Sequence, residues 1–461
     1  MKTKVIATIG PASAKKDVIK ALIHEGVHGL RINFAHGDPS SWEHYANLIR
    51  KAEEELGTFV TLIGDLRGPS IRLGVLDEPL RFRSGDVLKI VNSEQGRAKD
   101  REIPLPNDIV FEGLDVGDII IMDDGRVRLR VIDVGHDHIE VTALTDGAIT
   151  SRKALVVQDK EFNLPTLTIR DLKVLDFMIK HGFNYVGLSY VRCAYDIEIL
   201  RKELRRRGAK GIKVIAKIET RSAVKNLNEI VESTDVILVA RGDLGMNYGL
   251  EEVPIIQRYI VSKSLSKGKP VIIATQLLES LTTNPVPTRS EVADVHEAVL
   301  EGVDALMLTN ETSVGKYPIE AVRWIKKIIK EVEKEGTIRK PDIKPRTLRS
   351  RFAKGITELA ESLGAKLLIF TMKGTTAFEI SKFRPTVPVY AGANDLNVIK
   401  LINILWGIKP YLVKGSTYEE GLDELLKVLR TKYAVNVGDI VIQTYGLKDE
   451  ELHIIKLRVV S

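Results

Sequence analysis

Short runs of β-branched and small apolar residues recur along this chain, and eight of them alternate with stretches whose apolar residues repeat at helical spacing. In order the runs are Lys4 to Gly10, Gly29 to His36, Val60 to Asp65, Val186 to Val191, Lys213 to Glu219, Asp235 to Asp243, Pro270 to Gln276 and Ala305 to Glu311. Helical segments such as Ala194 to Arg207 and Ile319 to Lys334 lie between or after them. A strand that returns to its sheet through a helix runs parallel to its predecessor. Eight such units argue for a closed parallel (β/α)8 barrel.

The alternation is broken once. Between about Ile71 and Phe162 the helical period vanishes, and Ser84-Gly85-Asp86, Val116-Gly117-Asp118 and Asp123-Asp124-Gly125 separate alternating strand-like stretches. This predicts a small β-barrel domain inserted after the third strand, at the rim where barrel enzymes carry their chemistry, and so placed to act as a lid. The Lys- and Pro-rich stretch Gly336 to Arg346 reads as a linker. Beyond it, strand runs at Leu367 to Thr371, Val387 to Ala391, Pro410 to Val413 and Asp439 to Thr444 alternate with helices. The expected fold class is therefore α/β: a TIM barrel in two parts (1–70 and 163–337), a β lid (71–162) and a C-terminal α/β domain (338–461).

With 461 residues, 44% hydrophobic and 28% charged, the chain has the length for two or three domains and the composition of an ordinary soluble protein. Apolar runs such as Ala305 to Leu308 and Val236 to Ala240 fall far short of the roughly 20 residues of a membrane helix. The N-terminus opens on the strand-like Lys4-Val5-Ile6-Ala7 without an apolar signal core, so a cytoplasmic location and no membrane partner are expected. Cys193 is the only cysteine, which excludes an internal disulfide and a Cys-based zinc cluster, and it reads as a packing residue. The net charge of +6 comes from 68 basic and 62 acidic residues, mostly interspersed along helices. Arg205-Arg206-Arg207 reads as a solvated helix end, and no aromatic-interleaved basic stripe points to nucleic acid.

Polar residues gather where the strands end. Arg31, Asn33, Asp65, Ser189, Lys217, Glu219, Asp243, Thr275 and Glu311 all fall at or near the C-terminal end of a predicted strand, which in a parallel barrel is a single face. A loop cap or a buried ion pair accounts for any one of them, but not for nearly every strand at once. Lys217-Ile218-Glu219 and Arg241-Gly242-Asp243-Leu244 put a cation, two carboxylates and a glycine on that rim, the groups needed to hold Mg²⁺ and an anionic substrate while charge develops on a transferring group. No Gly-x-x-x-x-Gly-Lys-Ser/Thr loop and no Gly-x-Gly-x-x-Gly follows a strand, which weighs against a P-loop kinase and a dinucleotide oxidoreductase.

Seven segments in order, Thr8 to Ser13, Arg31 to Gly37, Asp65 to Pro69, Lys217 to Glu219, Ala240 to Gly245, Ala274 to Ser280 and Pro287 to Arg289, make the chain resemble the pyruvate kinases along almost its whole length. The resemblance implies Mg²⁺-dependent phosphoryl transfer from phosphoenolpyruvate to ADP, giving ATP and pyruvate. By that similarity Glu219 and Asp243 ligate Mg²⁺, Lys217 neutralises the phosphoryl group in flight, and Arg31 grips the same phosphate. Gly242 and Asp243 bring backbone amides to the substrate carboxylate, and Thr275 orients and relays the proton. Asn33, His36, Arg72 and Lys160 line the nucleotide site, where a second Mg²⁺ arrives with ADP.

The resemblance also marks departures. Relatives that bind K⁺ use an Asn, a Ser, an Asp and a Thr carbonyl; here those positions read Asn33, Ala35, Asp65 and Leu66, so Asn33 and Asp65 are the K⁺ candidates that keep a side-chain oxygen. Ser70 stands where the potassium-dependent members carry a glutamate, so little or no K⁺ requirement is expected. Thr371, Lys373, Gly374, Thr375 and Thr376 align with the family's sugar-phosphate effector loop, but its later aromatic and basic elements are not evident around Thr444-Tyr445-Gly446. A nucleotide monophosphate, another sugar phosphate or no effector all stay open, and an ordinary capped turn accounts for the same residues. A homotetramer is implied by resemblance alone. Two alternatives stand beside the kinase: a metal-dependent aldolase or lyase acting on pyruvate or oxaloacetate, which has no nucleotide for a lid to cover, and a non-catalytic effector-binding relative, which should have lost Lys217 or a metal carboxylate.

Overall fold

The computed structural model of the chain describes residues 1–336, 338–447 and 452–461. In it β1 (Lys4–Ile9), β2 (Gly29–Asn33), β3 (Thr61–Asp65), β4 (Tyr185–Leu188), β5 (Lys213–Ile218), β6 (Val236–Ala240), β7 (Val271–Ala274) and β8 (Ala305–Leu308) close into a barrel in chain order. Closure is made by β1 against β8, with Lys4 beside Ala305 and Ala7 beside Leu308. Parallel strands covered on both faces need near-continuous apolar residues, and β1, β3, β4, β6, β7 and β8 are buried at every position. Every strand but β3 stops one to three residues before its sequence run does. The polar ends of those runs leave the ladder and form the rim.

Between β3 and β4, strands running from Val75–Leu76 to Leu155–Val157 build a curled six-stranded sheet and two short ribbons over their own core of Leu88, Ile103, Leu129 and Val141. After the stretch 338–346, which carries no helix or strand, Lys366–Phe370, Val389–Ala393, Ile408–Leu412, Ile440–Leu447 and Leu452–Val459 form a five-stranded sheet of their own. Its last strand, antiparallel to its neighbour, lies outside the expected strand runs. Arg205 and Arg206 close the helix Ala194–Arg206, and Cys193 is half-buried at that helix's N-terminus. Among the described residues no helix is long and apolar enough to cross a membrane.

The C-terminal domain stoppers the barrel from below. Leu401 and Ile404 join the interior cluster of Ile6, Ile63, Tyr185, Ile215, Leu238, Ile272 and Met307. Around them Tyr185 donates its hydroxyl to the Leu401 carbonyl at 2.6 Å, Thr61 donates to the Lys400 carbonyl at 2.5 Å and Lys4 Nζ donates to the Ile408 carbonyl at 2.5 Å. Two buried ion pairs, Arg384 with Asp304 and Lys400 with Glu53, complete the seam.

Burial pulls the Lys4 ammonium down to about 7, and the neighbouring Lys409 adds to the effect. An unfolded lysine titrates at about 10.4, so between those values the unfolded chain holds a proton that the folded chain has released. Stability at this position is thus fully present above the unfolded value and declines as pH falls towards 7. Lys4→Met is expected to remove that slope, so that urea midpoints at about pH 7 and about pH 10 differ less than in the parent. An unaltered difference would place the amine in water.

Candidate active site

A cavity of about 750 Å³ opens at the C-terminal ends of the barrel strands, beneath the lid. Thr8, Arg31, Asn33, Asp65, Ser189, Tyr190, Lys217, Gly242, Asp243, Thr275, Met307 and Thr309 line it, so every barrel strand contributes at or just beyond its end. Arg31 is braced before any ligand arrives: Nε donates to Asp65 Oδ2 at 2.9 Å, Nη2 makes a second, shorter bond to the same oxygen, and Nη1 reaches Thr8 Oγ1 at 3.0 Å.

Lys217 stands opposite. Its Nζ donates to Ser189 Oγ at 2.8 Å and lies 3.2 Å from Glu219 Oε2 and 3.7 Å from Asp65 Oδ1. Burial works to discharge this ammonium, but Asp65, Glu219 and Asp243 together outweigh it and hold its pKa above the ordinary value. Asp65 is likewise buried, yet Lys217 and Arg31 keep it below the usual carboxylate range. Glu219 goes the other way: full burial raises its pKa, Lys217 only partly offsets that, and Asp243 and Asp65 push it higher.

Burial is thus the main cause of the rise, with the neighbouring carboxylates adding to it. Glu219 Oε1 accepts the Tyr190 N–H at 2.5 Å, whereas Oε2 has no hydrogen bond and meets Lys217 only as an ion pair at 3.2 Å. A buried carboxylate oxygen without a hydrogen bond is costly, and a hard cation held by Glu219 and Asp243 would satisfy it. No cluster of three or more His, Cys, Asp or Glu at metal-binding spacing occurs among the described residues. Glu219 and Asp243 alone could hold an ion here, which would leave its other positions to substrate and water.

Asp243 is not at a strand end. The sequence run extends to it, but β6 stops at Ala240 and Asp243 lies in the first turn of the helix Arg241–Asn247. The Asn247 side chain fixes this turn by donating to the Glu219 carbonyl at 2.9 Å and the Asp243 carbonyl at 3.0 Å. Glu311 is similarly helical, within Asn310–Ser313, and fully buried; it accepts from Leu278 N and Thr309 N rather than facing the cavity.

The nucleotide candidates divide. Asn33, His36 and Arg72 line the cavity. Burial lowers the His36 pKa, and Arg72, Arg31, Arg67 and Arg170 lower it further, so a strongly cationic wall faces this end. Lys160 is not brought there. Its Nζ is held by Asp115 at 2.6 Å and Asp118 at 2.8 Å within the lid, and it lines a separate cavity of about 60 Å³ with Pro69, Ile71 and Phe162. Thr371, Lys373, Gly374, Thr375 and Thr376 lie apart, in the C-terminal domain: the first three in the turn after Lys366–Phe370 and the last two at the start of the helix Thr375–Ser381; Thr371 is buried, and Gly374 opens the helix at φ 80°.

Sequence reasoning missed Tyr190 and Asn247 as site residues. Tyr190 adopts φ 56°, uncommon for a bulky residue, which turns its N–H onto Glu219. Its only sequence signal is its place directly after Ser189 at the end of a strand run.

Family comparisons fit this geometry. The model for the barrel domain of pyruvate kinase matches residues 1–322, and the model for its alpha/beta domain matches residues 351–455. The chain belongs to the pyruvate kinase family. A pyruvate kinase of Pyrobaculum aerophilum is 39% identical over 99% of this chain and 96% of its own length. One of Aeropyrum pernix is 36% identical over 99% and 98%. The crystal structure of the Pyrobaculum aerophilum pyruvate kinase superposes with a TM-score of 0.88 at 38% identity, covering 99% of both chains. That of a pyruvate kinase from Cryptosporidium parvum superposes with a TM-score of 0.90 at 29% identity, covering 100% of this chain and 96% of that one. The protein is accordingly a phosphotransferase, in a pyruvate kinase family that generally uses a divalent metal.

Proposed function

We propose that this site transfers the phosphoryl group of phosphoenolpyruvate to ADP with Mg²⁺ as the divalent ion. A terminal phosphate oxygen of ADP bonds to phosphorus as the bond to the enol oxygen breaks, and the enolate takes a proton at its methylene carbon to give pyruvate. Arg31 and Lys217 flank the phosphoryl group from two strands, and Lys217, already cationic and braced by Ser189, meets the charge that develops in transit. When bound between Glu219 and Asp243, the ion polarises phosphate and carboxylate oxygens. The first turn of the helix Arg241–Asn247 would meet the substrate carboxylate, where the Gly242 amide exchanges its bond to the Thr275 hydroxyl for one to the substrate, and that hydroxyl stands beside it as relay. Asn33, His36 and Arg72 receive the nucleotide, with Lys160 joining only if it leaves its two aspartates.

The observation that carries this reading is the pairing of a buried, unbonded Glu219 oxygen with an ammonium 3.2 Å away on the cavity wall. A lactate dehydrogenase-coupled assay tests it: loss of NADH absorbance should require phosphoenolpyruvate, ADP and Mg²⁺ together. Consumption of NADH without ADP would point to another reaction.

K⁺ is not needed on this reading. Asp65 is already paired with Arg31 and faced by Lys217, the Asn33 side chain is turned back to accept Ala35 N at 3.0 Å, and Ser70 Oγ accepts Arg72 Nε at 3.0 Å. Replacing K⁺ with tetramethylammonium should leave the rate unchanged; a collapse would show that a cation does enter beside Asp65.

In the C-terminal domain, Lys373 and Thr375 are exposed beside the Gly374 turn, which is where a phosphorylated effector would bind, its identity open. A homotetramer is the proposed assembly. Exposed Ile455, Leu457 and Val459 on an edge strand, and Ile255 and Tyr259 on the helix Val253–Ser266, are apolar surface that partner subunits would cover.

A further inference from the structure

The turn that presents Thr275 is held against its own preference. Thr275 and Gln276 adopt φ 71° and 52°, two consecutive non-glycine residues in the left-handed region, the first of them β-branched. Such residues stay there only where the surroundings over-determine them.

The surrounding constraint is Arg241. This side chain is buried, 7% exposed, and reaches the turn from the end of the adjacent strand β6. Nε and Nη2 donate to the Thr275 carbonyl at 3.1 and 2.8 Å, Nη2 also reaches the Gln276 carbonyl at 2.6 Å, and Nη1 is anchored on Asp294 at 2.6 Å. Two successive left-handed residues have turned both carbonyls towards one donor, and a planar guanidinium is the side chain that serves both at once. From the far side Glu311 takes the Leu278 N–H at 3.0 Å and the Thr309 N–H at 2.7 Å, pinning the turn's exit to the next loop. The hydroxyl so presented accepts the Gly242 N–H at 2.8 Å and lines the cavity.

We propose that Arg241 is a positioning residue for the proton-delivery step: its grip on the Thr275 and Gln276 carbonyls holds a strained turn that aims the Thr275 hydroxyl at the reacting carbon. This rests on the reading of Thr275 as relay given above. Arg241 touches neither substrate nor ion on this account, so its effect passes through Thr275.

A double-mutant cycle tests the dependence. Arg241→Gln should lower kcat by about 10- to 100-fold, the scale of an ångström of misplacement, while the phosphoenolpyruvate KM stays within about threefold. Placed in Thr275→Ala, the same change should cost less than about twofold further, because the residue it acts through is gone. A double variant whose loss equals the product of the two single losses overturns the proposal.

A second pair of variants carries the test if Arg241→Gln does not fold. Lysine reaches one carbonyl but not both, so Arg241→Lys should slow turnover. Gln276→Gly, which takes a positive φ without strain, should then recover kcat by at least about threefold. Absence of that recovery also overturns the proposal. Parental kcat in Thr275→Ala alone would instead refute the relay reading on which it stands.

Discussion

Lys217→Met should abolish pyruvate formation, lowering kcat by about three to five orders of magnitude, the range seen when a single cation that meets phosphoryl charge is removed. The size follows from placement. The ammonium is buried beside three carboxylates that keep it charged, so it acts in a low-dielectric cavity where one charge counts for far more than in water. The coupled assay gives the rate, and near-ultraviolet circular dichroism shows whether the rim has kept its structure, since Asp65 and Glu219 lose a counter-charge in the variant. A folded variant within about tenfold of the parent would remove Lys217 from the transfer step.

Glu219→Gln is the second large effect. Its carboxylate has one oxygen on the Tyr190 amide and one unbonded, and an amide in the same place offers a neutral, weaker ligand. The Mg²⁺ concentration for half-maximal rate should rise by about 100-fold or more, because even supporting groups around a metal are worth about 10- to 100-fold in affinity. An unchanged Mg²⁺ titration would mean that the ion is held elsewhere. The raised pKa of Glu219 has burial as its main cause, with Asp243 and Asp65 adding to it and Lys217 opposing it.

The barrel was legible because its strands are buried on both faces, and a run such as Val236 to Ala240 has few other uses in a soluble chain. Rim residues were legible as residues but not as geometry. Nothing in Ala240-Arg241-Gly242-Asp243 announces that the strand stops at Ala240, because the switch depends on Asn247, four residues on, tying the Asp243 carbonyl of its own helix to the Glu219 carbonyl of another segment. The left-handed turns at Tyr190 and Thr275 are invisible for a similar reason: local preference argues against them, and tertiary bonds impose them. Lys160 was named from the family pattern, yet its position is set by Asp115 and Asp118, some forty residues away in the chain. The strand Leu452–Val459 escaped because an antiparallel return needs no intervening helix to announce it.

Leu401 and Ile404, inserted into the underside of the barrel, give the C-terminal domain a duty that owes nothing to control of activity. A chain truncated after the helix Pro318–Glu335 would present water with an open shaft lined by Ile6, Ile63 and Ile215. Selection on folding alone is therefore enough to retain the domain, and a member of this family that has lost its effector still has cause to keep the module that once received it.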